Sequence, residues 1–242
     1  VVWCAGTGQS GFNALGSILC GDVNPSGRTI DTFVYDLTQT PTANNFGNFT
    51  YTNMDEFKAS SFGADTIPAF VNYVEGIYVG YKFYETAAAE GLIDYDKTVV
   101  YPFGRGLSYT TFTQTLNSVT EADGTITVDV TVTNTGSASG KEVVEVYYNP
   151  PYTNGGIEKA SANLIGFAKT SELAPGASEN VTVTFKAEDM ASYDTYGKGC
   201  YVLEKGDYVI SINADSHTVL DSKVYNVASD IVYDASNKRE SD

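Results

Sequence analysis

From about residue 112 to residue 227 the sequence keeps a period of two, and this regularity limits the chain more than any other feature in it. Ile126, Val128, Val130 and Val132 alternate with Thr125, Thr127, Asp129, Thr131 and Thr133. Val181, Val183 and Phe185 alternate with Thr182, Thr184 and Lys186, and Tyr208, Ile210 and Ile212 repeat the pattern. Successive side chains on a strand point to opposite faces, so these runs are strands with one face buried and one in water. Turn-forming clusters separate them: Asn134-Thr135-Gly136, Ala174-Pro175-Gly176 and Glu204-Lys205-Gly206-Asp207. With Lys141–Tyr148, Asn163–Lys169 and Thr218–Val227 the count reaches roughly seven short strands in about 115 residues. That is the pattern of an immunoglobulin or fibronectin III-like β-sandwich over 112–230.

Residues 1–111 read differently. Val1-Val2-Trp3-Cys4-Ala5 is a short, wholly apolar run, as in a strand covered on both faces of a parallel sheet. After the turn Gly6-Thr7-Gly8-Gln9-Ser10-Gly11, Phe12, Leu15, Ile18 and Leu19 fall at helical spacing, and Gly21 sits where a helix C-cap belongs. Thr29–Tyr35 reads as a further strand and 36–70 as a long polar loop. Residues 73–90 lead through four aromatic residues to Ala87-Ala88-Ala89 and a helix end at Gly91, and Tyr101–Tyr109 is a turn-rich connector. The expected fold class is therefore an α/β fragment, part of a mainly parallel α/β sandwich, over 1–111, then the all-β sandwich over 112–230, then a polar linker or tail over 231–242. The chain opens without Met on an apolar run, so Val1–Ala5 is expected to be the cut edge of a sheet that continues in other polypeptide.

Charge and composition exclude several functions. A formal net charge of −16 argues against nucleic acid, whose phosphates require Lys and Arg, and against anionic membrane surfaces. No apolar run approaches the ~18–20 residues of a transmembrane helix. Cys4, Cys20 and Cys200 are odd in number and widely spaced, which gives neither a disulfide framework nor a zinc spacing, and one histidine, His217, excludes a multi-His metal site.

Gly6-x-Gly8-x-x-Gly11 matches the dinucleotide fingerprint. No second strand ending in an acidic residue follows the helix, so a plain strand-to-helix turn is the better reading. Glycoside hydrolysis requires two carboxylates about 5–10 Å apart. Glu75, between Val74 and Gly76 in an aromatic setting, is the carboxylate most worth following, with a structural hydrogen-bonding role favoured over a raised-pKa acid. Arg28 and Arg105 are isolated cations, suited to pairing a carboxylate or touching a ligand. Asn48-Phe49-Thr50 and Asn180-Val181-Thr182 match the glycosylation pattern, which is common by chance.

Several segments, in order along nearly the whole chain, resemble glycoside hydrolase family 3, the β-glucosidase and β-xylosidase family. They are Trp3-Cys-Ala-Gly-Thr-Gly-Gln-Ser-Gly-Phe-Asn-Ala-Leu15, Leu19-Cys-Gly-Asp-Val-Asn-Pro-Ser-Gly-Arg28, Tyr73-Val-Glu-Gly-Ile-Tyr-Val-Gly-Tyr-Lys-Phe-Tyr84 and Tyr101-Pro-Phe-Gly-Arg-Gly-Leu-Ser-Tyr109. In the sandwich, Val132-Thr-Asn-Thr-Gly136, Gly140-Lys-Glu-Val-Val144, Leu164-Ile-Gly-Phe-Ala-Lys169 and Leu173-Ala-Pro-Gly176 continue the match. The resemblance implies a retaining β-glycosidase in which a β/α barrel carries the nucleophilic Asp and an α/β domain the general acid. This chain is similar to the end of that α/β domain plus the fibronectin-like domain, so no catalytic carboxylate carries over to it. No cofactor is implied. The implied partners are the remainder of the same enzyme (barrel and first part of the α/β domain) and an oligosaccharide or β-glucoside substrate; a homo-oligomer is compatible with the sequence. The 36–70 loop and Pro150–Lys159 resemble a bacterial branch, in some members of which the barrel follows the sandwich, so the order of domains stays open.

Gln9, Ser10 and Asn13, at the carboxyl end of the first expected strand, are candidates for contact with an outer sugar, as are Phe103 and Arg105 in the connector turn. The alternative is a stand-alone carbohydrate-binding or adhesion sandwich, with Tyr147, Tyr148 and Tyr152 as the exposed aromatic candidates.

Overall fold

The computed structural model describes residues 6, 8–44, 49–50, 59–61, 64–66 and 69–240. Val1–Ala5, Thr7 and Asn48 lie outside them, and with them the expected leading strand, part of the glycine turn and the first glycosylation acceptor.

Helix α1 spans Gly11–Cys20, and Gly21 closes it in the left-handed conformation (φ 83°), its N–H bonded to the Ile18 carbonyl as the sequence requires. None of the residues of α1 is buried; Phe12 and Leu19 are 67% and 60% exposed. Strand β1 (Phe33–Val34) is shorter than the expected strand, and the described parts of 36–70 hold two 3-10 turns, Leu37–Gln39 and Pro41–Asn44, and a small hairpin of β2 (Ala59–Ser61) and β3 (Ala64–Thr66). Helix α2 covers Tyr81–Ala89, starting late because Gly76 and Gly80 turn the chain through positive φ just before it. A short helix α3 (Tyr95–Thr98) feeds strand β4 (Val99–Tyr101), which pairs antiparallel with β1. Every strand pair among the described residues of this part is antiparallel, unlike the mainly parallel sheet expected.

The sandwich follows. Strands β5 (Phe112–Ala122), β6 (Thr125–Asn134) and β9 (Ser178–Lys186) form one sheet in the order β5-β6-β9. Strands β7 (Val143–Asn149), β8 (Asn163–Lys169), β12 (Gly206–Asn213) and β13 (Val219–Val227) form the other, in the order β13-β12-β7-β8. The alternation predicted for β6 is met residue by residue: Ile126, Val128, Val130 and Val132 are fully buried against Val144 and Val146 of β7, Val181 and Val183 of β9, and Tyr208, Ile210 and Ile212 of β12. The outer face of the three-stranded sheet is a polar ladder in which Thr131 and Asn117 bond Asn180, the second glycosylation candidate.

Residues beyond 230 differ from the linker or tail expected of them. Strand β14 (Ile231–Tyr233) pairs with β11 (Tyr201–Leu203), which pairs in turn with β10 (Ser192–Tyr193). Past a turn held by Asp234, the guanidinium of Arg239 lies 3.5 Å from the centre of the Tyr201 ring, and Lys186 ion-pairs Glu240. Three apolar residues, Ile231-Val232-Tyr233, inside a polar stretch are too short a signal to read as a strand beforehand.

Candidate functional site

Strand β7 breaks the period of two. Val143-Val144-Glu145-Val146-Tyr147 is buried at every position, because both faces of its sheet are covered. One face is the sandwich core. The other carries Glu145 and Tyr147, with Asn213 and Ser211 of β12 directly opposite them, and all four are buried. The cover comes from α2 and from the connector turn at 102–106.

The seam between the two parts is polar and aromatic. Phe103 stacks on Tyr81 of α2 (centroids 4.7 Å apart), and Tyr81 meets Tyr147 edge-on at 6.0 Å. The Tyr81 hydroxyl oxygen accepts the Leu164 N–H at 2.8 Å, and the Ser216 N–H reaches the Phe103 carbonyl at 2.8 Å. Glu145 lies beneath Gly104, where φ is +84° and an added Cβ would run into the carboxylate. The Tyr147 hydroxyl donates to Glu145 at 2.9 Å. Burial pushes the Glu145 carboxyl up to about 7, against that donation and the field of Arg28, while Asp215 and Glu142 push the same way as burial. Burial also raises the Tyr147 phenol, helped by the carboxylate beside it.

A second cluster closes the far end of the seam. Glu85, on α2 and 7% exposed, accepts the Tyr95 and Ser216 hydroxyls at 2.7 and 2.8 Å, and its other oxygen lies 2.8 Å from Nδ1 of His217. The imidazole stacks flat on Tyr95 at 3.6 Å. A third cluster fastens the near end: Arg28 ion-pairs Glu142 at 2.5 Å and Asn24 bonds Ser108, Tyr109 and the Ser139 carbonyl. Burial outweighs Arg28 at Glu142, leaving that carboxyl above its usual range. Arg28 thus takes the carboxylate-pairing role of the two considered for it.

Of the candidate contact residues, Gln9 and Ser10 occupy the exposed turn before α1 and Asn13 its first turn. Phe103 is half-buried in the seam, while Arg105 is exposed with its guanidinium 5.4 Å from the Tyr101 ring centre. Among the described residues no hydrogen bond or ring contact joins the first three to the last two. Glu75 is half-exposed in a turn beside Tyr73 and Val74, which are 83% and 60% exposed. Tyr147, a candidate for an exposed sugar platform, is 1% exposed because the second face of its sheet is covered, and Tyr148 is half-buried against the sandwich core; only Tyr152 is open, at 42%. No motif in the sequence marks Glu85, Glu145 or Tyr95, and His217 counts there only as the single histidine. The signal available was a lone glutamate inside the apolar run of β7.

A model of the fibronectin type III-like domain matches residues 142–216, the span from the ion-paired Glu142 to Ser216 of the seam. Beta-glucosidase A of Butyrivibrio fibrisolvens is 38% identical over 219 residues, a match that takes in 83% of this chain and 23% of that protein. The structure of beta-glucosidase 3B from Thermotoga neapolitana in complex with α-D-glucose superposes with a TM-score of 0.76 at 32% identity, over 96% of this chain and 28% of that one. The GH3 beta-glucosidase of Bifidobacterium adolescentis superposes with a TM-score of 0.72 at 28% identity, over 90% of this chain and 28% of that one. Over most of its length the chain matches one part of the family 3 β-glucosidases in both sequence and fold. It spans about a quarter of the length of the family 3 relatives it matches, and the superposition covers both the sandwich and the segment clamped to it.

Proposed function

We propose that the chain is a bracing, non-catalytic part of a β-glucosidase, acting with further polypeptide that holds the catalytic carboxylates. The contrast between its two halves carries this reading. The sandwich holds nearly all of the buried apolar core and exposes few of its large apolar side chains, such as Phe167, Tyr196 and Val224, whereas in the shorter segment before it Phe12, Leu19, Ile30, Tyr35, Leu37 and Tyr73 stand 60–90% exposed. So many large apolar side chains open to water in one segment leave a surface suited to a covering partner. That surface suits the remainder of an α/β domain, of which residues 1–111 would form the end, and a β/α barrel beyond it. The seam then holds the sandwich rigidly against the α/β part. Gln9, Ser10 and Asn13, all exposed on the turn into α1, are offered to the outer end of a β-glucoside or oligosaccharide, with Phe103 and Arg105 in support from the connector. The test is hydrolysis of an aryl β-glucoside by the chain alone. We expect no turnover; a rate in the usual enzyme range of about 1–10³ s⁻¹ would refute the bracing role.

A further inference from the structure

Where the segment meets the sandwich, a cleft of about 200 Å³ stays open beside the Arg28–Glu142 ion pair. Three stretches build its walls: the turn at 25–28, the connector at 106–110, and Lys141 and Glu142 just ahead of β7. A Cβ on Gly106 would lie 2.7 Å from Nη1 of Arg28, so glycine there leaves the guanidinium its place in the wall. The lining is mainly polar: Ser26, Ser108 and Thr110 contribute hydroxyl side chains and Leu107 one exposed apolar side chain. The volume falls just under the range of about 300–1,000 Å³ usual for drug-sized ligands, which fits a molecule built on one sugar ring. Its charge runs against that of the chain. The whole sequence carries −16, yet Glu142 is the only acid among the described residues lining the cleft, and Arg28 already matches it. Lys141 is exposed in the wall, and Lys169 stands at the rim, its Nζ donating to the Ser26 carbonyl at 3.0 Å. No carboxylate pairs either lysine among the described residues. Nε of Arg28 is buried without an acceptor, a donor that the protein's own groups leave unused.

From this arrangement we propose that the cleft is a binding site for a small sugar bearing an oxyanion, a phosphate or a carboxylate. Lys141 and Arg28 would meet the oxyanion, Lys169 would add its field from the rim, and the hydroxyl-lined wall would take the sugar body. Cations gathered in a cleft with low-dielectric walls focus their field on whatever enters it, and their hydrogen bonds to an oxyanion are charge-assisted. A neutral sugar of the same shape gains none of that. The site stands whether or not the chain braces a glycosidase, because no residue of it is asked to take part in hydrolysis.

The experiment is calorimetric titration of the full chain with glucose 6-phosphate, glucuronate and glucose at low salt, where charge is least screened. At least one charged sugar is expected to bind about tenfold or more tightly than glucose. Tighter binding of the phosphate identifies a phosphorylated sugar as the ligand class, tighter binding of glucuronate an acidic sugar, and either supports the site. Lys141 is exposed and unpaired, so Lys141→Glu should keep the unfolding midpoint while weakening the charged probe about tenfold or more. Amide shifts in the NMR spectrum of the bound chain should centre on 25–28, 106–110 and 141–142. Saturable binding by none of the three sugars, glucose bound as tightly as the charged ones, an unchanged affinity in Lys141→Glu, or shifts centred elsewhere would each overturn the proposal.

Discussion

Replacing Glu145 with glutamine should flatten the stability of the chain against pH. The carboxyl titrates near 7 in the fold and at about 4.5 when unfolded, so between those values the folded chain holds a proton that the unfolded chain has released. Raising the pH therefore favours unfolding: the stability is fully present below 4.5 and is lost as pH climbs through 7. At roughly 1.4 kcal/mol per pH unit between the two, the loss is about 3 kcal/mol. Glutamine keeps an oxygen to accept the Tyr147 hydroxyl but does not titrate. Its amide N–H groups lack a ready acceptor under Gly104 and cost about 1–3 kcal/mol at every pH. The variant is thus weaker than the natural chain at pH 4.5 and equal or stronger at pH 8. For a chain of this size, 3 kcal/mol is roughly 6–12 °C in the unfolding midpoint. The assay is thermal or urea unfolding of both proteins in half-unit steps from pH 4.5 to 8, read as their difference. Two curves that stay parallel across that window would refute the idea that an unpaired buried carboxyl sits in the seam.

Two further changes test the same joint from other sides. Gly104→Ala puts a Cβ into the Glu145 carboxylate at a backbone angle that suits glycine; we expect a loss of about 2–4 kcal/mol in denaturant unfolding, with the slope unchanged. Arg28→Met leaves Glu142 buried without its cation and should cost about 3 kcal/mol at pH 8. That cost should shrink as the pH falls and the carboxyl protonates, while a pH-independent loss would mean that Arg28 matters for its packing alone.

The sandwich was legible because β6, β9 and β12 each turn one face to oil and one to water, and a two-residue period records that directly. The seam was not, for the same reason. On β7 both faces are covered, so Val143 to Tyr147 lose the alternation and read only as an apolar run, with Glu145 an oddity inside it. Its partners are remote in sequence: Glu85 meets Ser216 across 131 positions and Arg28 meets Glu142 across 114, and no local pattern predicts such pairs. Nothing in Asp215-Ser216-His217-Thr218 reveals that α2 lies against His217. The helix at 11–20 was readable from its spacing and from Gly21, whereas the open apolar face it shows is visible only in three dimensions.

The two sides of the four-stranded sheet are built from different materials, greasy within and hydroxyl- and carboxyl-bearing without. If α2 and the connector were to swing away, the surface laid bare around Glu145, Ser211 and Asn213 would be one that water wets at once. Parting along this plane would add carboxyl, hydroxyl and amide groups to the wetted surface of the sandwich rather than a second greasy face.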